Sequence, residues 1–160
     1  PPPLPVQQPQ VDAPRAETKS YGRQVARPAQ PRQVNQTAQL RNCLLVDDSR
    51  MIRKIARQIV EQRGYKIAEA ENGQEALDKC KLAMPDLIIL DWDMPVMTGI
   101  EFLAELRVLA GGTQPKVVFC TTHSSAVDIH QAVGAGADEF VTKPFNEASL
   151  LAKIDAIGAG

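Results

Sequence analysis

Apolar and polar positions divide this chain near residue 40. Before that point, proline and glutamine crowd a stretch with almost no large apolar side chains. Beyond it, short runs of Leu, Ile and Val alternate five times with amphipathic stretches. Unbroken apolar runs of this length mark strands buried on both faces of a parallel sheet. They predict strands at about 42–47, Lys66–Ala70, Asp86–Leu90, Lys116–Cys120 and Glu139–Thr142. Between them, apolar residues recur at intervals of three and four, the helical period. The first helix is expected over Arg50 to Arg63, with a stripe of Met51, Ile52, Ile55, Ala56, Ile59 and Val60. Gly64 ends it in a left-handed cap. Asn72, with Glu75 three residues on, opens the second helix as a capping box. The third runs from about Thr98 to Ala110, with Ile100, Leu103, Leu106 and Leu109 inward and Gly111-Gly112 as its stop. The fourth, about Ser125–Val133, has a weaker apolar face. The fifth follows the cap Asn146 and buries Leu150, Leu151, Ile154 and Ile157.

Alternating strands and helices with short loops imply a parallel sheet with right-handed crossovers. Five such units predict an α/β, (βα)5 flavodoxin-like doubly wound parallel sheet of strand order 2-1-3-4-5. Residues 41–160 form this one domain. Residues 1–40 cannot bury enough surface to offset their ordering entropy and are expected to be a disordered Pro/Gln-rich tail or linker. The opening Pro1-Pro2-Pro3-Leu4-Pro5 favours an extended polyproline conformation.

Charge sharpens the division. The net charge is −1, yet Arg15, Lys19, Arg23, Arg27 and Arg32 make the tail basic and leave the domain acidic. An acidic domain without a basic face argues against nucleic acid as its ligand. Cys43, Cys80 and Cys120 have no metal or disulfide spacing and sit where small buried hydrophobes belong. That usage fits the reducing cytoplasm. No apolar stretch approaches the ~20 residues of a membrane span.

Asp47 and Asp48 end the first apolar run, Asp91 the third, Thr121 the fourth and Lys143 the fifth. Order 2-1-3-4-5 sets strands 1 and 3 side by side, so these groups meet at one rim, the usual ligand crevice of an open α/β sheet. Three carboxylates packed together would repel unless a cation joined them. Magnesium takes oxygen ligands of this kind and is commonly shared with phosphate. A carboxylate can also accept a phosphoryl group as an acyl phosphate, and central Asp91 is the candidate. Lys143 would neutralise a phosphoryl oxygen, Thr121 would hydrogen-bond another, and Pro144 holds Lys143 extended. If Asp47 and Asp48 only charged the start of the first helix beneath a Ser49 cap, Asp91 and Lys143 would go unexplained.

Leu45-Val46-Asp47-Asp48-Ser49, Leu90 through Gly99 and Gly136 through Phe145 together resemble the receiver domain of bacterial two-component response regulators, the CheY-like fold. The resemblance covers about 42–158 and excludes the tail. It implies that Asp91 is the phosphoacceptor, and that Asp47 and Asp48 hold Mg2+ with Asp91 and the backbone carbonyl of Asp93, Asp48 being the direct ligand of the pair. It implies that Thr121 and Phe140 are the switch residues and Lys143 the phosphoryl-binding lysine. A sensor histidine kinase would be the phosphodonor. A downstream target protein would read the helix 4–strand 5–helix 5 face, in chemotaxis-like or in cell-cycle or motility signalling. Such a protein is no enzyme beyond catalysing its own phosphorylation and dephosphorylation. No DNA-binding output domain is expected after the fifth helix.

Departures from the pattern cluster at the rim. Asp93 stands where CheY-like proteins often carry Asn, and Thr122 where many have Ala or Gly. His123 occupies a position tied in this family to dephosphorylation rate. His123 and His130 are read as non-ligands. Two alternatives stay open: a phosphate-independent pseudo-receiver acting as an interaction module, and a haloacid-dehalogenase-type phosphatase. Asp91-Trp92-Asp93 resembles the start of the phosphatase motif, but Pro95 breaks it and no later strand supplies an acidic pair.

Overall fold

A computed structural model describes residues 41–158; the expectation for the tail falls outside these residues. Five strands, β1 Asn42–Val46, β2 Lys66–Ala70, β3 Leu87–Asp91, β4 Lys116–Thr121 and β5 Glu139–Thr142, alternate with five helices. These are α1 Arg50–Val60, α2 Gly73–Leu82, α3 Gly99–Arg107, α4 Ala126–Gly134 and α5 Glu147–Ala156. All strand pairs are parallel and the order is β2-β1-β3-β4-β5, as the alternation predicts. Among the described residues no helix is long and apolar enough to cross a membrane.

Successive strand residues face opposite sides, so each run feeds two cores. Cys43, Leu45, Leu87, Ile89 and Val118 pack with Ala56, Ile59 and Val60 of α1 and Leu150 and Ile154 of α5. Leu44, Val46, Ile88, Leu90, Val117 and Phe119 pack with Ala76 and Leu77 of α2, Phe102, Leu103 and Leu106 of α3 and Ala132 of α4. The three cysteines are free and buried, as expected of small hydrophobes.

Four details differ from the sequence reading. In α1 the buried positions are Arg53, Ala56, Ile59 and Val60, while Met51 is 71 % and Ile55 39 % exposed. At about 100° per residue the last two fall on the flank away from that face. The helix ends at Val60, and a 3₁₀ turn, Glu61–Arg63, leads to Gly64 at φ 81°. In α3 the helix stops at Arg107, not Ala110. Leu109 N and Gly112 N donate instead to Leu106 O and Leu109 O in tight turns. The Arg107 guanidinium holds the carbonyls of Gly112, Pro115 and Gly136, drawing the chain off the helix axis. At α2, Asn72 caps Glu75 N, but the Glu75 carboxylate takes Glu71 N rather than Asn72 N, so the expected box closes one residue early.

Between β3 and α3, Met97 N donates to Pro95 O at 2.7 Å across Val96, whose φ is +71°. This is the rare positive-φ γ-turn, a strained conformation for a β-branched residue. Val96 is 80 % exposed, so its side chain packs on little. Val96→Gly is therefore expected to raise stability by about 1 kcal/mol, the relieved strain exceeding glycine's added unfolded-state entropy. Urea unfolding at unchanged slope measures it, and a lower midpoint would refute the strain.

Candidate functional site

The carboxyl ends of β1, β3, β4 and β5 form one rim because the register aligns Val46 with Leu90, Asp91 with Cys120, and Thr121 with Thr142. At β1 the chain leaves the sheet through Asp47 and Asp48. Asp47 is buried and Asp48 exposed. Asp47 Oδ1 accepts Ser49 N at 2.8 Å, and Ser49 in turn caps α1 by accepting Ile52 N. Ser49 thus caps as the sequence suggested, without exhausting the role of the two aspartates.

Asp91 is the last residue of β3 and is 6 % exposed. Its Oδ1 accepts Trp92 N at 2.9 Å and Lys143 Nζ at 3.0 Å. Lys143 Nζ also donates to Asp47 Oδ2 at 2.7 Å, joining strands 1, 3 and 5 through one ammonium. The Lys143 main-chain N–H donates to Thr121 O, and the Lys143-Pro144 peptide is cis. Oxygens of Asp47, Asp48 and Asp91 all lie within 4.8 Å of one another. Such a set of hard oxygen donors, with Asp48 open to solvent, suits a magnesium-sized cation.

Burial pushes the Asp91 carboxyl up to about 6, with the charges of Asp47 and Asp48 adding and Lys143 opposing. For Lys143, burial alone would depress the ammonium, but its bonds to Asp47 and Asp91 outweigh that and raise it. The lysine stays charged, and the acid gives up its proton only at about pH 6. Lys143→Ala leaves two buried carboxylates facing each other. It is expected to cost about 2 kcal/mol at pH 8 without divalent ions, discounted for the partial exposure of the lysine. The loss should shrink towards pH 4 as Asp91 takes a proton. Equal losses at both pH values in thermal or urea unfolding would contradict it.

Thr121 is buried at the end of β4, and its hydroxyl oxygen accepts His123 N at 3.0 Å. Phe140 lies half-buried in β5, packed against the α2–α4 side of the sheet. Asp93 does not join the acidic cluster with its side chain. Its carboxylate faces His123 Nε2 at 2.9 and 3.1 Å, and that ring stacks on Trp92 at 4.6 Å. His123 thus holds Asp93 outward, a contact the sequence reading missed. The one available signal was position: Asp93 and His123 each lie two residues beyond the end of adjacent strands. Arg53, whose guanidinium donates to Asp47 O, and Gly99, whose N–H donates to Trp92 O, were missed too.

A doubly wound five-stranded sheet with three carboxylates and a lysine at the ends of strands 1, 3 and 5 has the layout of the CheY-like α/β class. Residues 43–155 match the response regulator receiver domain, and the chain belongs to that family. It is 38 % identical over 114 residues to the chemotaxis protein CheY of Halobacterium salinarum, covering 71 % of this chain and 93 % of that one. It is 34 % identical to the phosphate regulon transcriptional regulatory protein PhoB of Escherichia coli, over 73 % of this chain but only 51 % of PhoB. The crystal structure of Vibrio cholerae chemotaxis protein CheY4 superposes with a TM-score of 0.70 at 34 % identity, covering 74 % of this chain and 99 % of that one.

Proposed function

We propose that this receiver domain accepts a phosphoryl group on Asp91 from a sensor histidine kinase and switches a protein-binding face in response. The observation that carries the reading is the convergence of Asp47, Asp48 and Asp91 within 4.8 Å, with Lys143 Nζ shared between Asp47 and Asp91. An Asp91 carboxylate oxygen attacks phosphorus. A new O–P bond forms, the donor's N–P bond breaks, and the donor nitrogen keeps the electron pair. Asp47, Asp48, Asp91 and the Asp93 carbonyl would hold Mg2+, which when bound offsets the negative charge gathering on the phosphoryl oxygens. Lys143 neutralises a further oxygen, and Thr121 hydrogen-bonds another by turning its hydroxyl from His123 N. The chain catalyses only this transfer and its hydrolytic reversal.

Thr121 and Phe140 couple the site to the face formed by α4, β5 and α5, where a downstream target docks. The apolar exposure of α4 supports that role: only Ala132 of the helix is buried, while Val127 and Val133 are 75 % and 60 % exposed. Similarity to the Halobacterium salinarum chemotaxis protein supports a chemotaxis-like pathway. Trp92, the one tryptophan, adjoins the acceptor and reports on it. A saturable change in its fluorescence with beryllofluoride, dependent on Mg2+, is the expected result. No change in the folded protein would refute phosphoacceptance and leave a phosphate-independent module.

A further inference from the structure

Arg53 is a buried charge that the phosphoacceptor chemistry does not use. It is 8 % exposed, and from α1 its guanidinium reaches Glu69 of the edge strand β2. Its Nη1 donates to the backbone carbonyl of Asp47 at 2.7 Å, and its Nε to Glu69 Oε1 at 2.7 Å. The second oxygen of Glu69 takes Arg57 Nη2 at 2.7 Å and Nε at 3.0 Å. The Lys79 ammonium donates to the Glu69 main-chain carbonyl. Arg53 is therefore itself held in place, by Glu69 on β2. The carbonyl it grips belongs to the peptide joining Asp47 to Asp48. That peptide is a rigid plane, so fixing its orientation sets ψ of Asp47 and φ of Asp48. Those two angles set how far apart the paired carboxylates point.

We propose that Arg53 is a positioning residue for the cation site: by holding the Asp47–Asp48 peptide it aims both carboxylates at a divalent cation. This rests on the reading of Asp47, Asp48 and Asp91 as that site. The sign of the effect separates positioning from simple electrostatics. Removing a positive charge near three carboxylates should by itself tighten cation binding. Loss of positioning should loosen it.

The test is a titration of full-length protein with magnesium chloride, read by Trp92 fluorescence, beside urea unfolding of each variant. Arg53→Met is expected to weaken magnesium affinity about tenfold, in the range known for groups that orient metal ligands. Arg53→Lys keeps the charge but cannot hold Glu69 and the Asp47 carbonyl with the same fork. It should fall between wild type and Arg53→Met, and it decides the matter if Arg53→Met does not fold. Arg57→Met also loosens Glu69 but has no contact with Asp47. It should lose stability, and because it reaches Asp47 only through Glu69 and Arg53, its magnesium affinity should fall by less than that of Arg53→Met. Unchanged or tighter binding by the Arg53 variants overturns the proposal, as does an equal loss in Arg57→Met. A wild type that gives no saturable response overturns the cation reading as well, so the two failures are told apart.

Discussion

Asp91→Asn is expected to accept no phosphoryl group and to be more stable than the wild type above pH 7. The first effect follows because an amide oxygen is too poor a nucleophile to replace the carboxylate. Phosphorylation by a small-molecule donor, followed by intact mass, measures it, and a stoichiometric adduct on the variant would mean the acceptor is another residue. The second effect follows from burial. The folded Asp91 carboxyl titrates at about 6 against an ordinary value of 3.8, because its charged form is poorly solvated. Between those values the folded protein keeps a proton that the unfolded chain has released. Stability therefore falls as pH rises through this window, and the penalty is complete above about pH 6. Asparagine keeps an oxygen for Trp92 N and Lys143 Nζ without the charge. In EDTA the variant should gain about 2 kcal/mol at pH 8 and little at pH 4. A gain that does not depend on pH would show that the buried charge is not the cause.

Gly99→Ala should be among the most damaging single-methyl additions in the domain. A Cβ at Gly99 would lie 2.2 Å from Asp91 O and 2.8 Å from Phe119 Cε1. Neither neighbour can yield easily: one is strand backbone at the acceptor itself, the other a fully buried ring. Overpacking against such partners costs about 3 kcal/mol. The strain falls on the last residue of β3, so beryllofluoride binding should weaken along with stability in urea unfolding. Gly134→Ala is the matched control. Nothing lies within 4 Å of its Cβ position, and it ends α4 without positive φ. Alanine there should be neutral or stabilise by a few tenths of a kcal/mol. Comparable losses in both variants would mean that the close approach at Gly99 is not what makes it costly.

The elements were legible because strand burial and helix amphipathicity are local patterns. Leu87-Ile88-Ile89-Leu90 feeds both cores and therefore has no polar position to interrupt it. The caps at Asn146 and Ser49 were legible for the same reason, since a cap bonds within its own first turn. The stripe of α1 was only partly legible. Met51 and Ile55 are apolar, but which flank of a helix meets the sheet depends on how it is laid across the strands. The tight turn after Arg107 was hidden because what holds it is Arg107 itself, bonded to Gly136 from a distant loop. His123 escaped as a partner of Asp93 because the two are thirty residues apart and meet only through adjacent strand ends.

The sequence by itself determined the order of strands and helices, the rim at which Asp47, Asp48, Asp91, Thr121 and Lys143 gather, and the family. Each depends on short-range periodicity, turn chemistry or a motif, all written in consecutive residues. Only the tertiary structure decided that one lysine bridges two carboxylates, that His123 draws Asp93 away from the cluster, and that Arg53 grips the peptide between the paired aspartates. Those are contacts that side chains make across different elements. Their distances depend on strand register and helix placement, which are set when the two cores pack and have no counterpart along the chain.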